Sequence, residues 1–587
     1  MPSGRSITQA LLVGAIAVAS ALLYAHRLDF APPDIQIDEA IISINAHQIA
    51  TTGHDLRGER WPLYAQTAEH SWYQPLVIYL TAAALTVMPL SEWSIRVPAV
   101  GMAVLAIVLM FLVGSRATRR PTYGVLAAGM LALTPSLFIH GRYAMDYHYP
   151  LVFILGWLYC LLRYDDARRL AWIAAATAIL GVGFYCYISS IVMMPIYLML
   201  TLMWLFTRRE PPRAFAVAIG AMLPLLLPFL VWLAQHPQAY SATVDKYGLY
   251  DSRDLNPVQG LRSAFGFLSV GQRLSQYWNY YDPSLLFFGS GIKVQFSTSG
   301  VGVFLLPMAA LILAGIYAAL KRRAEPFYLV ILLGFVTAPI AASIPTEENA
   351  IFRALGLLPF GVLLALAGIE RLWDFAAPRS LMFGVRVTGA AAALMAAGYG
   401  SWTLVRGQHL GSSTLPLLVT GVMLVAATLA QNRAWTTRVV VAGLIALMPL
   451  QFAGFWNDYF TSYRERVSFW LGGNIGGALE EVIDRADASR SPVYFAQLKS
   501  AGGNLDWRNG FMDAYWRFYA LKHHRADLID RVVPVDEGGL AGAPAGTLIV
   551  SNTENPETNA LVSAGILKKV ADIDELDGRP FFVVLQR

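Results

Sequence analysis

The chain has 587 residues, of which 56% are hydrophobic and only 14% are charged, with a mean hydropathy of +0.48. This low charge and the continuous apolar runs exclude a soluble enzyme and disfavour a β-barrel, whose strands alternate in polarity. The net charge of +5 comes from arginines in short loops, so no nucleic-acid partner is expected. Both cysteines, Cys160 and Cys186, fall in apolar segments, which leaves no disulfide framework outside the membrane.

Thirteen apolar segments predict membrane-spanning helices, beginning with an uncleaved first helix. A bilayer core requires about 20 apolar residues in a helix, and most of these segments approach that length. We therefore expect an all-α polytopic membrane protein. The predicted spans are 7–24, 94–114, 121–139, 148–163, 170–186, 191–207, 214–234, 301–320, 327–344, 353–370, 383–403, 413–430 and 436–455.

Basic residues collect in every second loop, which predicts how the helices are oriented. Because Lys and Arg favour cytoplasmic loops, the N-terminus is expected inside and the C-terminus outside. The apolar segment 74–90 would reverse this order if it crossed the membrane. It is short and has a proline near each end, so we expect an interfacial or re-entrant helix there. The basic clusters are Arg116/Arg119/Arg120, Arg163/Arg168/Arg169, Arg208/Arg209/Arg213, Lys321/Arg322/Arg323, Arg371/Arg379 and Arg433/Arg438.

Three longer parts of the chain are then expected on the outer, periplasmic face. They are a first loop over 25–93, a second loop over 235–300 and a tail over 456–587. The tail mixes helix-like and strand-like patterns, which predicts a small α/β domain. We therefore expect two domains, a transmembrane module over 1–455 and a C-terminal periplasmic α/β domain over 456–587.

The first outer loop contains the stretch IDEAIISINAHQIA, in which Asp38 and Glu39 precede apolar residues at helical spacing. This pattern predicts a short amphipathic helix along the membrane surface, with Asp38 at or near its N-cap. Two interpretations remain open. Either the acids cap the helix and complement its dipole, or Asp38 is a base that takes a proton from an acceptor hydroxyl or amine.

The next outer loop, HGRYAMDYHYPL, contains Asp146 beside Arg142 and His148, just before a span. Asp146 is a second candidate for chemistry, and the alternative is an acid that caps the following helix. His148 is a candidate metal ligand, although the sequence lacks the dense histidine and carboxylate spacing of metal sites. No cofactor is therefore certain, and a divalent metal stays open.

Arg353 lies at the outer end of a span, in the stretch IPTEENAIFRALGLLPF. Its guanidinium suits a phosphate, and the alternatives are an ion pair with Glu347 or Glu348, or contact with lipid headgroups. Lys293, an isolated cation of the second outer loop, is a further candidate for the phosphate. The same loop is rich in aromatic residues, which either anchor the interface or face a sugar or isoprenoid chain.

These segments, taken in order, resemble bacterial membrane glycosyltransferases of family 39. That family has the GT-C fold and includes protein O-mannosyltransferases and the lipid A aminoarabinose transferase. The likeness covers most of residues 25–370 and weakens over the last spans and the tail. The segments are IDEAIISINAHQIATTGHD, QPLVIYL followed by LSEWSIRVPAVGMAVL, RYAMDYHYPL, YYDPSLLFFGSG and FRALGLLPF.

The resemblance implies an undecaprenyl-phosphate-linked sugar as donor, with Asp38 as the base that activates the acceptor. It also implies Asp146 as a second essential acid and Arg353 as a ligand of the donor phosphate. The expected site residues are the catalytic acids Asp38, Glu39 and Asp146; the phosphate ligands Arg353, Lys293 and Arg142; the sugar or lipid contacts Tyr73, Gln74, Tyr143 and Tyr281; and His148 for a metal.

Two departures from the family pattern affect this expectation. The aminoarabinose transferase has a Lys-Pro-Pro run where this chain has WYQPL, with Tyr73 and Gln74, so a phosphate-binding lysine is missing there. The mannosyltransferases carry a lumenal sugar-recognition domain in a later loop, and residues 235–300 are too few to hold one. A protein acceptor is therefore less supported than a lipid or a glycan.

The resulting hypothesis is an inverting glycosyltransferase of cell-envelope glycosylation in the bacterial inner membrane, acting at its periplasmic face among membrane lipids. Asp38, Asp146 and Arg353 are expected to converge on one pocket at the outer membrane rim. The main alternative is a transporter or flippase for a lipid or solute, which would carry charges inside its spans. A scaffold whose tail binds partners is the other alternative. The sugar and the acceptor stay undefined.

Overall fold

The computed structural model divides the chain into two compact units. Unit 1 comprises Met1–His26, Ala99–Gly141 and Asp146–Asp458, and unit 2 comprises Arg27–Pro98, Arg142–Met145 and Tyr459–Arg587. The structure describes residues 4–66, 72–252, 254–289, 296, 300–345, 347, 350–374, 379–406, 414–429, 433–486, 492–500, 503–505, 510–535 and 539–587.

Helices dominate the described residues. In chain order they are α1 (Gly4–Ala25), α2 (Ile37–Thr52), α3 (Pro75–Leu85), α4 (Glu92–Thr118), α5 (Pro121–Ala132), α6 (Pro135–His140), α7 (Pro150–Ala167), α8 (Leu170–Gly183), α9 (Ser190–Thr207), α10 (Pro212–Gln235), α11 (Gln238–Lys246), α12 (Pro257–Ala264), α13 (Phe267–Asn279), α14 (Pro307–Lys321), α15 (Pro326–Thr337), α16 (Leu357–Trp373), α17 (Arg379–Val405), α18 (Thr414–Leu429), α19 (Arg433–Phe460), α20 (Ser462–Ser468), α21 (Ile475–Arg485), α22 (Phe511–Lys522) and α23 (Pro556–Ser563).

Each of the thirteen predicted spans overlaps a helix, namely α1, α4, α5, α7 to α10 and α14 to α19, but the span predicted at 121–139 is divided between α5 and α6. Among the described residues, six helical segments are long and apolar enough to cross a membrane, and α3, α5, α8 and α14 are shorter apolar helices. The count of thirteen crossings stays a prediction. The 11 residues of α3 extend about 16 Å, roughly half of a bilayer core, which fits the expected interfacial helix.

Prolines begin several helices of unit 1, where the missing N–H is not needed and the fixed φ suits the first turn. The C-terminal ends of α4, α7 and α9 are joined by ion pairs. Three of the basic clusters therefore lie at one end of these helices, as the predicted orientation requires. The pairs are Arg116–Asp166 at 2.7 Å, Arg208–Asp165 at 2.5 Å and Arg168–Glu210 at 2.5 Å.

Unit 2 contains a mixed five-stranded sheet in the order β6–β3–β7–β9–β8. Strand β3 runs parallel to β6 and β7, and β9 runs antiparallel to β7 and β8. The segments SPVYFAQL, GTLIVSN and RPFFVVLQR supply β3, β7 and β9, as their patterns predict. The strands are β1 (Ala65–Gln66), β2 (Trp72–Tyr73), β3 (Val493–Phe495), β4 (Leu498–Ser500), β5 (Gly503–Leu505), β6 (Val532–Pro534), β7 (Leu548–Asn552), β8 (Lys568–Asp574) and β9 (Pro580–Gln586).

The core of unit 2 combines the first outer loop with the tail. Ala40 and Ile44 of α2 belong to the same buried cluster as Trp516 of α22, and the Tyr515 hydroxyl donates to the Ile35 carbonyl at 3.2 Å. Helix α2 is buried over most of its circumference, so it is a core helix and not the surface helix that its amphipathic pattern predicted. The predicted domain boundary at 455/456 stays a prediction.

Candidate active site

Glu39 and Arg96 form a fully buried ion pair at the start of α2. Arg96 Nε donates to Glu39 Oε1 at 3.1 Å and Nη2 donates to Oε2 at 3.2 Å. Its other N–H groups donate to the carbonyls of Leu28, Pro32 and Asp34 at 2.9 to 3.1 Å. All five N–H donors of the guanidinium are therefore used, and they hold the loop before α2 against the first turn of α4.

The Glu39 carboxylate also accepts two backbone hydrogen bonds. Its Oε2 accepts from Gln36 N at 3.0 Å and its Oε1 accepts from Ala144 N at 2.7 Å. Both oxygens are thus engaged by a charge and by the backbone, as buried carboxylates require. This arrangement gives Glu39 the geometry of a residue that positions α2.

Arg142, expected to bind phosphate, is fully buried in unit 2. Its Nη2 donates to the carbonyls of Arg27 at 3.1 Å and Ala31 at 2.6 Å, and its guanidinium lies 5.5 Å from the ring of Tyr459 and 5.2 Å from that of Phe460. Arg142 therefore holds the same loop as Arg96, through other carbonyls.

Asp38 is the second residue of α2, and Gln36 occupies the N-cap position. The Asp38 side chain is half-buried, and the hydroxyl of Tyr73 donates a hydrogen bond to its Oδ1. Glu39, not Asp38, accepts a hydrogen bond from the N-cap backbone. Of the two acids, it is therefore Glu39 that caps the helix. Asp38 is thus oriented by a tyrosine and keeps partial access to solvent.

The remaining candidates of unit 2 are more enclosed. Gln74 is buried at the N-cap of α3. Tyr143 is fully buried, and its hydroxyl lies 3.1 Å from that of Tyr463. Of the expected sugar or lipid contacts in this unit, Tyr73 is the one that the structure joins to Asp38.

Asp34, two residues before the N-cap of α2, contacts a second acid through a serine. Ser468 Oγ lies 2.5 Å from Asp34 Oδ2 and 3.3 Å from Glu575 Oε2. Burial raises the pKa of Asp34 to about 7; the hydrogen bond from Ser468 opposes this rise, Glu575 adds to it, and Arg96 and Arg464 oppose it. Burial also raises the pKa of Glu575.

This raised pKa predicts a stability that falls with pH. Because the folded protein holds the Asp34 proton more tightly than the unfolded chain, the contribution of Asp34 to stability is expected to decrease as pH rises from about 4 to about 7 and then to level off. Asp34→Asn should remove much of this slope and be more stable than the wild type at pH 8, by on the order of 1–2 kcal/mol after allowance for partial exposure. Thermal unfolding in detergent from pH 4.5 to 8 measures both slopes, and identical slopes would contradict the assignment.

In unit 1, the structure brings Asp146 and Arg353 to the same tyrosine. Burial raises the pKa of the Tyr187 phenol; the positive charge of Arg353 opposes this rise and the negative charge of Asp146 adds to it. The ring of Tyr147, next to Asp146, lies 5.7 Å from that of Tyr187 and 4.8 Å from that of Phe352. The residues next to Asp146 and Arg353 in the sequence, Tyr147 and Phe352, are therefore in ring contact.

Arg353 is largely buried and ion-paired. Its Nη2 lies 2.7 Å from Glu347 Oε2, and its side chain is 12% exposed. The guanidinium lies 5.2 Å from the ring of Tyr247. Within the described residues, its Nη1 is buried and has no hydrogen-bond partner. The ion pair with Glu347, one of the predicted alternatives, thus leaves part of the guanidinium unused; Glu348 lies outside the described residues.

A small cleft adjoins this guanidinium, with about 270 Å³ of empty space when its open mouth is counted. Arg353 lines it together with Tyr197, Ser189 and Ser190. The Tyr197 hydroxyl is also buried without a hydrogen-bond partner in the described part of the chain. Arg353 Nη1 and the Tyr197 hydroxyl, two donors without a described partner on residues that line one cleft, are of the kind that binds a phosphate.

Three further candidates are placed differently. His148 is buried, with Nε2 2.8 Å from the Ala99 carbonyl, and no group of three metal-ligating side chains occurs among the described residues. The Tyr281 hydroxyl donates to the Phe335 carbonyl at 2.8 Å, so it anchors backbone. Lys293 lies outside the described residues.

Sequence reasoning missed Arg96 and Tyr197. Arg96 stands in LSEWSIRVP, at the predicted outer end of a span, and so breaks the orienting rule in the same way as Arg353. This position at the outer end of a span could have marked Arg96 as a candidate from the sequence. Tyr197 lies in the middle of an apolar helix, where a tyrosine gives no indication of the cleft beside it.

Comparison with known proteins supports the GT-C fold that the sequence resemblance implied. A family described as "Dolichyl-phosphate-mannose-protein mannosyltransferase" matches residues 70–232, which is less than half of the chain. No curated protein matches the sequence. The structure of ArnT from Cupriavidus metallidurans bound to undecaprenyl phosphate is similar, with 14% identity and a TM-score of 0.51 over 100% of this chain and 98% of that chain. The apo structure of the same ArnT gives 15% identity and a TM-score of 0.52 over 99% and 98%.

A third solved structure is less similar. The oligosaccharyltransferase AglB from Archaeoglobus fulgidus, in complex with an inhibitory peptide and a dolichol-phosphate, has 13% identity and a TM-score of 0.43 over 92% of this chain and 69% of that chain. The predicted resemblance to GT-C membrane glycosyltransferases is confirmed by the family match and by the ArnT structures, and the chain has the largely helical GT-C fold of ArnT.

Proposed function

We propose that the chain is a glycosyltransferase that moves a sugar from a polyprenyl-phosphate donor to a hydroxyl-bearing acceptor, with inversion, at the periplasmic face of the bacterial inner membrane. The observation that carries this proposal is the buried guanidinium of Arg353, whose Nη1 has no described partner and which lines a small cleft together with Tyr197. A buried cation with an unused donor is costly unless a ligand completes it.

The donor phosphate is assigned to this cleft in unit 1. Arg353 and the hydroxyl of Tyr197 would bind its oxygens, and the charge on the leaving phosphate would be stabilised as the glycosidic C–O bond breaks. Asp146 is close enough to act electrostatically on Tyr187, which Arg353 also affects. We assign Asp146 to placing the acceptor or a cation. The undecaprenyl phosphate bound in ArnT supports this class of donor.

Asp38 is the proposed base in unit 2. Its carboxylate takes the proton of the acceptor hydroxyl while the acceptor oxygen forms a bond to the anomeric carbon and polyprenyl phosphate leaves. Tyr73 orients the carboxylate through its hydrogen bond to Oδ1. We assign Glu39 and Arg142 to positioning α2 and the loop before it. Both side chains are buried, Glu39 accepts from the backbone N of Ala144, and Arg142 donates to the carbonyl of Ala31. The expected convergence of Asp38 with Arg353 stays a prediction.

Arg353→Gln is expected to raise the KM for the donor by about 10- to 100-fold, because hydrogen bonds from a charged donor are each worth about 1.5–3 kcal/mol. The measurement uses full-length purified protein in nanodiscs with a panel of polyprenyl-phosphate sugars and acceptors, and follows released polyprenyl phosphate. Arg323→Gln, at an exposed arginine of the same unit, is the matched control and should leave the KM unchanged.

Two outcomes would count against these assignments. A donor KM that is the same for Arg353→Gln and for the control would remove Arg353 from phosphate binding. Absence of release by the wild type with every donor and acceptor of the panel would reject the glycosyltransferase and favour a transporter.

A further inference from the structure

A second cleft lies in unit 1, beside the basic ends of α4 and α7. It encloses about 1490 Å³ of empty space, counted to its open mouth, and is formed by residues of α1, α4, α5 and α7. We propose that this cleft binds the headgroup of an anionic phospholipid. The proposal is independent of the donor site at Arg353, because none of the residues that line the two sites is shared.

The cleft has an excess of positive charge. Arg116 and Arg119 line it, and Asp166 is the one acid in its lining. Arg116 Nη2 lies 2.7 Å from Asp166 Oδ2, so one of the two cations is neutralised. Arg119 is exposed and follows the last residue of α4. One positive charge is thus left over, which favours an anionic ligand.

Polar groups in the same lining are available to such a ligand. Arg116 Nε and Ser115 Oγ are buried and have no hydrogen-bond partner within the described residues. Thr8 and Gln9 of α1 and Tyr159 of α7 also line the cleft. A guanidinium N–H, a hydroxyl and an amide match the oxygens of a phosphodiester.

The surroundings favour a lipid over a soluble phosphate. Helix α1 forms one wall of the cleft, and only 11% of its apolar segment is buried. Leu11, Val18 and Leu22 of this helix are each more than 60% exposed. Acyl chains can therefore lie along α1 while the headgroup enters the cleft. The basic clusters predict that this end faces the cytoplasm, where anionic lipid is attracted by juxtamembrane arginines.

Lipid binding to the full-length protein, delipidated in a neutral detergent, tests the proposal. Native mass spectrometry and thermal unfolding would compare phosphatidylglycerol, phosphatidylcholine with the same acyl chains, free polyprenyl phosphate and inorganic phosphate. We expect phosphatidylglycerol to bind and to raise the Tm through Arg119, and phosphatidylcholine and inorganic phosphate to have much weaker effects. Free polyprenyl phosphate also has the proposed donor site at Arg353, so its binding is expected to be the same in wild type and Arg119→Gln. Arg119→Gln should weaken phosphatidylglycerol binding about tenfold, Arg323→Gln should not, and neither should alter release of polyprenyl phosphate from the sugar donor.

Several results would overturn the proposal. Equal binding of phosphatidylcholine, or equal phosphatidylglycerol affinity in wild type and Arg119→Gln, would show that the cleft does not select an anionic headgroup through Arg119. Equal effects of inorganic phosphate would reject a lipid source. Binding of polyprenyl phosphate that Arg119→Gln weakens more than it weakens binding of phosphatidylglycerol would reject a phospholipid as the ligand of this cleft.

Discussion

Replacing Asp38 by asparagine is expected to lower the rate of sugar transfer by about 10²- to 10⁴-fold, the contribution of a positioned general base. Asparagine has nearly the same shape and can still accept the hydrogen bond from Tyr73, but it cannot take the acceptor proton. Because Asp38 is assigned to the acceptor, the KM for the donor should change little. Steady-state release of polyprenyl phosphate at saturating acceptor measures the effect.

A nearby acid provides the matched control for this prediction. Asp29 lies in the same loop of unit 2 and is exposed, so Asp29→Asn should retain full activity. Tyr73→Phe keeps the ring and removes only the hydroxyl that orients Asp38, so a smaller loss is expected than for Asp38→Asn. Transfer by Asp38→Asn within a few-fold of the wild type would remove Asp38 from proton transfer.

Glu39→Gln is expected to destabilise the protein strongly, by about 3 kcal/mol or more, because it leaves the buried charge of Arg96 without its counterion. Glu325→Gln is the control. Glu325 also pairs with an arginine, Arg322, at 2.7 Å, but the two side chains are 52% and 44% exposed. An exposed pair contributes about 0–1 kcal/mol, so this variant should unfold close to the wild-type temperature. Thermal unfolding in detergent compares the two variants.

The same pair of variants separates positioning from catalysis. If Glu39 only holds α2, the folded fraction of Glu39→Gln should keep the pH profile of the wild-type rate, since the base is Asp38. A variant as stable as Glu325→Gln but inactive would instead make Glu39 a catalytic acid, as the sequence resemblance implied.

Local patterns in the sequence predicted the helices and strands of the fold, but they did not predict contacts between residues that are far apart in the sequence. Apolar length located the helices, and the basic clusters at the ends of α4, α7 and α9 predicted which ends lie together. The burial of α2 was not predictable, because the partner of Ile35 is Tyr515, 480 residues away. An amphipathic pattern reports that one face is apolar, not what covers it.

The same limit applies to the candidate site. Asp38 and Glu39 are neighbours of one chemical type, and their roles separate only when Arg96 and the backbone of Ala144 take up the Glu39 oxygens. For Arg353, the sequence left the phosphate and Glu347 as alternatives. In the structure, Arg353 Nη2 pairs with Glu347, while Nη1 has no hydrogen-bond partner among the described residues. Residue type alone does not reveal that the two nitrogens of one guanidinium differ in this way.

The shared core of unit 2 has a consequence for the order of biosynthesis. At about 5–20 residues per second, a ribosome needs roughly half a minute to a minute and a half to add the 480 residues between Ile35 and Tyr515. During that interval the apolar side of α2 has no α22 to cover it. The nascent chain therefore depends on the translocation machinery, on lipid or on a chaperone to shield this helix, and truncation of the tail should produce insoluble or degraded protein, not a smaller enzyme.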